Sequence, residues 1–159
     1  MTELHEIYLS DLPGYVKIAF DGDSDLLSNI HISPGSLDHC VDNTMGMIME
    51  NASFYDKDMR VFRVERGDEV IGYTVVIINE KAPNELYSFG INIKYRKKDI
   101  LLCWLSEVEK ILGKPYYIVL WSKNQRAIDF FEKNGFLVLR NSKYLNDETK
   151  TLIVCQQEV

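Results

Sequence analysis

The residues of this chain that are best suited to chemistry form a basic turn at the start of a predicted helix. Arg96, Lys97 and Lys98 lead into an apolar helical pattern that ends near Leu112. The first turn of a helix presents unpaired N–H groups and the positive end of the helix dipole, so this segment can bind an anion. The alternative interpretation is a solvated turn in which Asp99 caps or favours the helix N-terminus.

A second candidate segment follows the apolar run 116–121, whose aromatic and β-branched residues are typical of a buried strand. Asn124 stands at the start of the next helical pattern, where asparagine is a preferred N-cap. The helix has apolar residues at i, i+3 and i+4 spacing, namely Ala127, Phe130 and Phe131. Gly135 then ends it, because a left-handed cap residue is favoured there.

Periodicity predicts the elements that position these segments. The predicted strands are 5–9, 60–65, 70–78, 86–93, 116–121, 136–141 and 151–156, and the predicted helices are 37–52, 98–112 and 125–134. Residues 10–35 are predicted to be loop-rich because they contain Pro13-Gly14, the acidic cluster 21–23 and Pro34-Gly35. No linker divides the chain, so residues 1–159 are expected to form a single domain with a mixed sheet flanked by helices.

Composition excludes several function classes. The chain is 46% hydrophobic and 26% charged, as in globular proteins, and its net charge of −6 disfavours nonspecific nucleic-acid binding. No apolar run is long enough to cross a bilayer, and we expect a cytoplasmic protein without membrane contact. Three scattered cysteines predict reduced thiols rather than disulfides, and neither they nor His5 and His31 suggest a metal site.

The segment from Asn124 to Phe136 closely resembles the acyl-CoA-binding helix of the GNAT acetyltransferases. The family pattern there is Asn-x-x-Ala-x-x-(Phe/Leu)-Tyr-x-Lys-x-Gly-Phe, and the predicted element order resembles the GNAT fold along essentially the whole chain. The resemblance implies an α/β (α+β) fold with a mixed, mostly antiparallel central sheet flanked by helices.

The resemblance also implies a site for acetyl-CoA as co-substrate. Its pantetheine arm would lie along the backbone of the predicted strand 87–93, and its pyrophosphate at the helix start, where the family writes (Gln/Arg)-x-x-Gly-x-(Gly/Ala). Arg96 takes the first position of that motif, whereas Asp99 and Leu101 stand in place of its glycines. The implied cofactor-binding residues are Ile91, Ile93, Arg96, Lys97, Lys98, Asp99, Ile100, Leu101, Asn124, Ala127 and Phe131.

Catalytic residues are less clearly indicated. Many GNAT enzymes have a tyrosine at the position of Phe131, and its hydroxyl protonates the departing thiolate. The substitutes here are Ser122, a thiol such as Cys103, or solvent. Candidate bases are Glu85, ahead of the predicted strand, and His39, in the region that usually lines the acceptor pocket.

The resemblance therefore predicts transfer of an acetyl group from acetyl-CoA to an amine of a small molecule or peptide, with the amide near Ile91 polarising the thioester. The alternative is a catalytically inactive GNAT-fold protein that works by binding or as a structural component, of the kind that bacteriophages encode. The family often dimerises through its last strands, so the apolar run 152–155 is interpreted either as a homodimer interface or as an edge of the core.

Overall fold

The computed structural model describes residues 1–24, 36–55, 58–81, 83–139 and 150–155. Its strands in chain order are β1 (Thr2–Glu6), β2 (Met59–Arg66), β3 (Glu69–Ile77), β4 (Asn84–Ile91), β5 (Tyr116–Trp121), β6 (Leu137–Leu139) and β7 (Lys150–Cys155). These strands form one sheet in the order β1-β2-β3-β4-β5-β7-β6. Neighbouring strands are antiparallel except β4 and β5, which are parallel. The predicted mixed, mostly antiparallel sheet is therefore confirmed.

Helices cover both faces of the sheet. They are α1 (Leu12–Phe20), α2 (Leu37–Tyr55), α3 (Lys98–Leu112) and α4 (Gln125–Lys133), with short 3-10 turns at Leu9–Asp11 and Ile93–Tyr95. Buried residues of α3 and α4 share one apolar cluster with one side of the sheet, and those of α1 and α2 form a second cluster on the other side. None of these helices combines the length and hydropathy needed to cross a bilayer.

The elements around the two candidate segments lie where the sequence predicts them. The helix 98–112 and the strand 116–121 have the predicted bounds, and α4 ends one residue earlier than predicted. Ser36 accepts a hydrogen bond from the His39 amide at 3.2 Å, as expected of a residue at the N-terminus of α2. Cys40 and Cys155 are buried thiols and Cys103 is a partly buried one.

The prediction that residues 10–35 are loop-rich is wrong for their first part. Residues 12–20 form α1, whose apolar positions Leu12, Val16, Ala19 and Phe20 are at most 8% exposed. Pro13 lies in the first turn of this helix, where its missing N–H leaves no intrahelical bond unmade. The prediction for Pro34-Gly35 lies outside the described residues.

The first strand also lies earlier than predicted, at Thr2–Glu6, where it pairs with β2 from Thr2↔Arg66 to Glu6↔Phe62. The strand β4, whose C-terminal end borders the site described below, stops at Ile91. Asn92 and Ile93, predicted to lie in the strand, instead begin a 3-10 turn.

The final strands are shorter within the described residues than predicted. The predicted strand 136–141 corresponds to β6, and its last two residues lie outside the described part of the chain, as does residue 156. The strand β7 lies between β5 and β6, with Ile153 fully buried. The apolar run 152–155 thus belongs to the interior of the sheet, and dimerisation remains a prediction.

Close contact between β3 and β4 depends on glycine. A Cβ atom added to Gly72 would lie 2.0 Å from the backbone oxygen of Gly90, far inside van der Waals contact. Backbone atoms cannot move away without disturbing the ladder between these strands. We expect Gly72→Ala to lower the free energy of unfolding by about 2 kcal/mol or more.

The matched control is Gly46→Ala in the middle of α2, where an added Cβ meets nothing within 4 Å. Alanine is the better helix former, so this variant should be more stable by about 0.5–1 kcal/mol. Denaturant unfolding of the two variants checks both signs. Equal stabilities would contradict the tight packing of β3 against β4.

Candidate functional site

The site begins where two neighbouring parallel strands separate. The strands β4 and β5 pair only over Asn84–Leu86 and Tyr116–Ile118. Directly after the last pair, the register of β4 against β3 shifts, so that Tyr87 is the extra residue of a β-bulge. A bulge bends its strand and increases the local twist. Beyond Leu86 and Ile118 the sheet therefore opens into a gap between β4 and β5.

Backbone groups of β4 face this gap. The amide of Asn92 donates to Ile71 of β3 at 2.7 Å, and neighbouring residues alternate in the direction of their backbone groups. Phe89 and Ile91 therefore direct their backbone groups away from β3. The carbonyl of Ile91 confirms this direction, because it accepts a hydrogen bond from Arg96 Nε at 2.7 Å.

A cavity of about 440 Å³ lies beside the gap. Its lining residues come from the end of α1, from β4 and the turn after it, and from α3 and α4: Phe20, Asp23, Phe89, Gly90, Ile91, Ile93, Arg96, Leu101, Trp104, Asn124, Arg126, Ala127, Phe130 and Phe131. The polar side chains among them are Asp23, Arg96, Asn124 and Arg126, whereas the others form an apolar wall. Such a cavity suits a molecule with an apolar part and an anionic part.

Aromatic rings form much of the apolar wall. Phe89 lies with its ring centroid 5.2 Å from that of Trp104 and 5.8 Å from that of Phe131. The indole N–H of Trp104 donates to Thr74 Oγ1 at 2.9 Å inside the core, which fixes the orientation of the ring. Phe131 is 1% exposed, so it contributes shape to the cavity and no proton.

The polar part of the cavity is an ion-pair cluster that the sequence does not reveal. Asp23 is 0% exposed, and its carboxylate forms ion pairs with two arginines. The Nη2 atom of Arg96 lies 2.7 Å from Asp23, and that of Arg126 lies 3.0 and 3.1 Å from its two carboxylate oxygens. The only sequence signal for Asp23 is its place in the acidic cluster 21–23, which is equally typical of a solvated loop.

A second contact joins α1 to the turn that follows β4. The Asn92 side-chain amide donates to the carbonyl oxygens of Ile18 at 2.8 Å and Asp21 at 3.2 Å, which are at the C-terminal end of α1. Helix C-termini carry carbonyls without intrahelical partners, so Asn92 satisfies two of them. Asn92, which was predicted to lie within a strand, thus attaches α1 to the turn that follows β4.

The start of α3 only partly fits the predicted anion site. Lys97 precedes the helix without a side-chain cap, and Lys97, Lys98 and Asp99 are exposed and do not line the cavity. Ile100 is 3% exposed and packs into the core, so only its backbone can face a ligand. Leu101 lines the cavity at the place where the family pattern has its second small residue.

The start of α4 is arranged as predicted. The side chain of Asn124 accepts a hydrogen bond from the amide of Ala127 at 3.4 Å, which is the geometry of an N-cap. Asn124 and Ala127 also line the cavity, together with Phe131. The structure therefore brings together these three residues with Ile91, Ile93, Arg96 and Leu101.

The predicted acid and base candidates lie away from this group. His39 is exposed in the first turn of α2, and Cys103 lies on α3 beside Thr2 of β1. Ser122 is hydrogen-bonded to Thr151 Oγ1 at 2.8 Å. Glu85 is in the paired part of β4, opposite Tyr117. None of these side chains lines the cavity, and within the described parts of the chain no three His, Cys, Asp or Glu residues cluster as metal ligands would.

Burial raises the pKa of the Glu85 carboxyl, and a hydrogen bond with Tyr117 offsets part of the increase. A carboxyl whose pKa is higher in the folded state binds its proton more tightly there, so its contribution to stability falls as pH rises above about 4.3, the value for an unfolded chain. We expect Glu85→Gln to gain stability relative to the wild type between pH 4 and pH 7.

Denaturant unfolding at both pH values measures this gain. Glu80→Gln removes the same charge from an exposed position and reports the effect of net charge alone. Each variant's stability is compared with that of the wild type at pH 4 and at pH 7. If Glu85→Gln and Glu80→Gln then show the same difference at each pH, the proposed effect of burial is contradicted.

Sequence comparisons give no match to this chain, whereas structural comparisons give clear ones. No model of a protein family matches the chain, and no curated protein sequence matches it. Solved structures do match over nearly their full length. An acetyltransferase from Thermus thermophilus has a TM-score of 0.69 at 17% identity, covering 98% of this chain and 96% of its own.

Two further structures agree. PaiA N-acetyltransferase from Thermoplasma acidophilum, solved in complex with coenzyme A, has a TM-score of 0.67 at 18% identity and 99% coverage of both chains. A GNAT-family acetyltransferase structure from Desulfovibrio desulfuricans has a TM-score of 0.64 at 14% identity, with 97% and 96% coverage. The sheet order, the gap between β4 and β5 and these similarities together establish that the chain has the fold of the GNAT acetyltransferases.

Proposed function

We propose that the protein is an acyl-CoA-dependent N-acetyltransferase that transfers an acetyl group to an amine of a small molecule or peptide. The observation that supports this proposal most directly is the gap between β4 and β5 with the cavity beside it. The gap gives a thioester access to strand backbone that would otherwise be paired. It lies where the two strands lose their ladder, after Leu86 and Ile118.

The residues present fit acetyl-CoA as a co-substrate. The aromatic wall around Phe89 and Trp104 suits the largely apolar pantetheine arm, and the two arginines suit phosphate groups. PaiA from Thermoplasma acidophilum, which has a similar fold, holds coenzyme A. The exposed Asp99 is unfavourable beside a phosphate, and the position of Leu101 narrows the approach to the first turn of α3.

Acetyl transfer requires three events at this place. The neutral amine attacks the thioester carbonyl carbon, so a C–N bond forms and the C–S bond breaks. Negative charge develops on the carbonyl oxygen, and the N–H of Ile91 or Phe89 faces the gap where it can donate to that oxygen. The amine loses its proton to solvent, and the CoA thiolate departs.

In this proposal water protonates the thiolate. Phe131 has no hydroxyl, and the titratable side chains in the lining that the structure describes are Asp23, Arg96 and Arg126. A thiol has an ordinary pKa of about 8.5, so a thiolate is a tolerable leaving group without a general acid. This arrangement predicts a modest rate that rises with pH as more of the amine becomes neutral.

A second candidate function is binding without catalysis. The observation that favours it is the position of His39, Glu85, Ser122 and Cys103 away from the cavity. Such a protein would bind coenzyme A without consuming acetyl-CoA in the presence of amines. Calorimetry and a thiol-release assay on the same sample therefore separate the two candidates.

The proposal predicts that Arg96→Gln weakens acetyl-CoA binding about tenfold or more, because a charge-assisted hydrogen bond to phosphate is lost. The matched control is Lys110→Gln on the same helix, since Lys110 is 68% exposed and pairs only with surface Glu107 in the described contacts. The control should bind acetyl-CoA within about twofold of the wild type. Isothermal titration calorimetry measures both affinities.

Thermal unfolding gives a second measurement, since a ligand at 100 times its dissociation constant stabilises the folded state by about 2.7 kcal/mol. Release of free thiol from acetyl-CoA should then depend on an added amine. No heat, no thermal shift and no thiol release at millimolar acetyl-CoA would contradict both candidate functions.

A further inference from the structure

The side chain of Asp23 contacts both arginines that line the cavity, and arginines are the side chains there that could bind an anion. Its carboxylate is 0% exposed, contributes to the cavity wall, and is in contact with Arg96 from the turn after β4 and Arg126 from α4. We propose that Asp23 determines the affinity and specificity of the site by competing with ligand phosphate groups for these two arginines. The inference rests on the proposed function for the identity of the ligand as a coenzyme A thioester.

The competition follows from the chemistry of the guanidinium group. Its planar set of N–H donors matches carboxylate and phosphate oxygens in the same way, with short charge-assisted hydrogen bonds. Arg96 already directs Nη2 to Asp23 at 2.7 Å and Nε to the Ile91 carbonyl at 2.7 Å. In the proposed competition, a phosphate that binds this guanidinium replaces the Asp23 contact.

Arg96 and Arg126 are the cationic groups that an anion in this cavity would contact. Within the part of the chain that the structure describes, they are the cationic side chains in the lining, whereas Lys97 and Lys98 are exposed and lie outside it. The first turn of α3 also carries the negative charge of Asp99. The arginine pair is thus the better anion site, and Asp23 lies within it.

A charge count shows which ligands Asp23 affects. Among the described lining residues, two arginines and one aspartate carry a net charge of +1, which Asp23→Asn would raise to +2. The energy of a pair of charges is proportional to their product, so this change acts more strongly on an anion with two or more charges than on one with a single charge. Asp23 should therefore lower the affinity for pyrophosphate-containing ligands and leave the affinity for an uncharged ligand unchanged.

The test compares Asp23→Asn with the wild type, using inorganic pyrophosphate, coenzyme A and pantetheine as separate probes in calorimetry. Pantetheine has the apolar arm without phosphates. We expect Asp23→Asn to bind pyrophosphate and coenzyme A at least about tenfold more tightly, and pantetheine within about twofold of the wild type.

The matched control is Glu109→Gln, which removes one carboxylate charge from the other end of α3, on the order of 15 Å along the helix from Asp99. Glu109 accepts a hydrogen bond from Tyr116 at 2.6 Å and is 24% exposed. This variant should leave all three affinities within about twofold. An equal gain in both variants would assign the effect to net charge and overturn the proposal.

Unchanged or weaker pyrophosphate binding by folded Asp23→Asn would also overturn it, since Asp23 would then merely position the arginines. If that variant does not fold, a crystal structure of the wild type at saturating pyrophosphate decides the matter. Separation of Asp23 from either arginine beyond 3.5 Å supports the proposal. Both contacts intact, or no anion at the arginines, overturns it.

The outcomes also separate this inference from the proposed function. Tighter pyrophosphate binding by Asp23→Asn without any coenzyme A binding would support competition and contradict the acetyltransferase. Coenzyme A binding and turnover by the wild type, with no gain of pyrophosphate affinity in Asp23→Asn, would support the acetyltransferase and contradict competition.

Discussion

The loss of pairing between two parallel strands is the constraint on which the rest of the site depends. Parallel neighbours inside a sheet normally satisfy one another's backbone groups, and β4 and β5 do so only as far as Leu86 and Ile118. The bulge at Tyr87 bends β4 at that point, and the space that opens is bordered by α3 and α4. Unpaired backbone groups and an aromatic wall are therefore brought together in one cavity, which is the arrangement that the proposed thioester substrate requires.

Positive charge at the cavity is partly neutralised within the protein. Two arginines from separate elements would repel each other at this distance, and the buried carboxylate of Asp23 reduces that repulsion. A buried ion pair of this kind adds little net stability, but the loss of one partner leaves an uncompensated charge and is costly. The cluster thus fixes the relative positions of α1, α4 and the turn after β4.

Local patterns predicted the elements nearest the site because their signals are strong. Helix α3 has an uninterrupted apolar stripe and ends at Gly113, which has a φ of 68°, and α4 is followed by Gly135 with a φ of 89°. Helix α1 was missed because Pro13 and Gly14 have the same residue types in a first helical turn as in a loop. The contact of Asp23 with Arg126 spans 103 residues, so it depends on the whole tertiary arrangement and has no local signature.

The attachment of α1 to the turn after β4 has a thermodynamic consequence. Asn92 holds the last carbonyls of α1, and Asp23, just beyond that helix, holds the arginines of the cavity. Any molecule that binds against α1 and shifts its final turn would change the affinity of the cavity for anions. Because binding free energies are reciprocal, an anion in the cavity would change the affinity for that molecule by the same factor. A ligand bound against α1 and an anion in the cavity would thus change each other's affinity through a few hydrogen bonds.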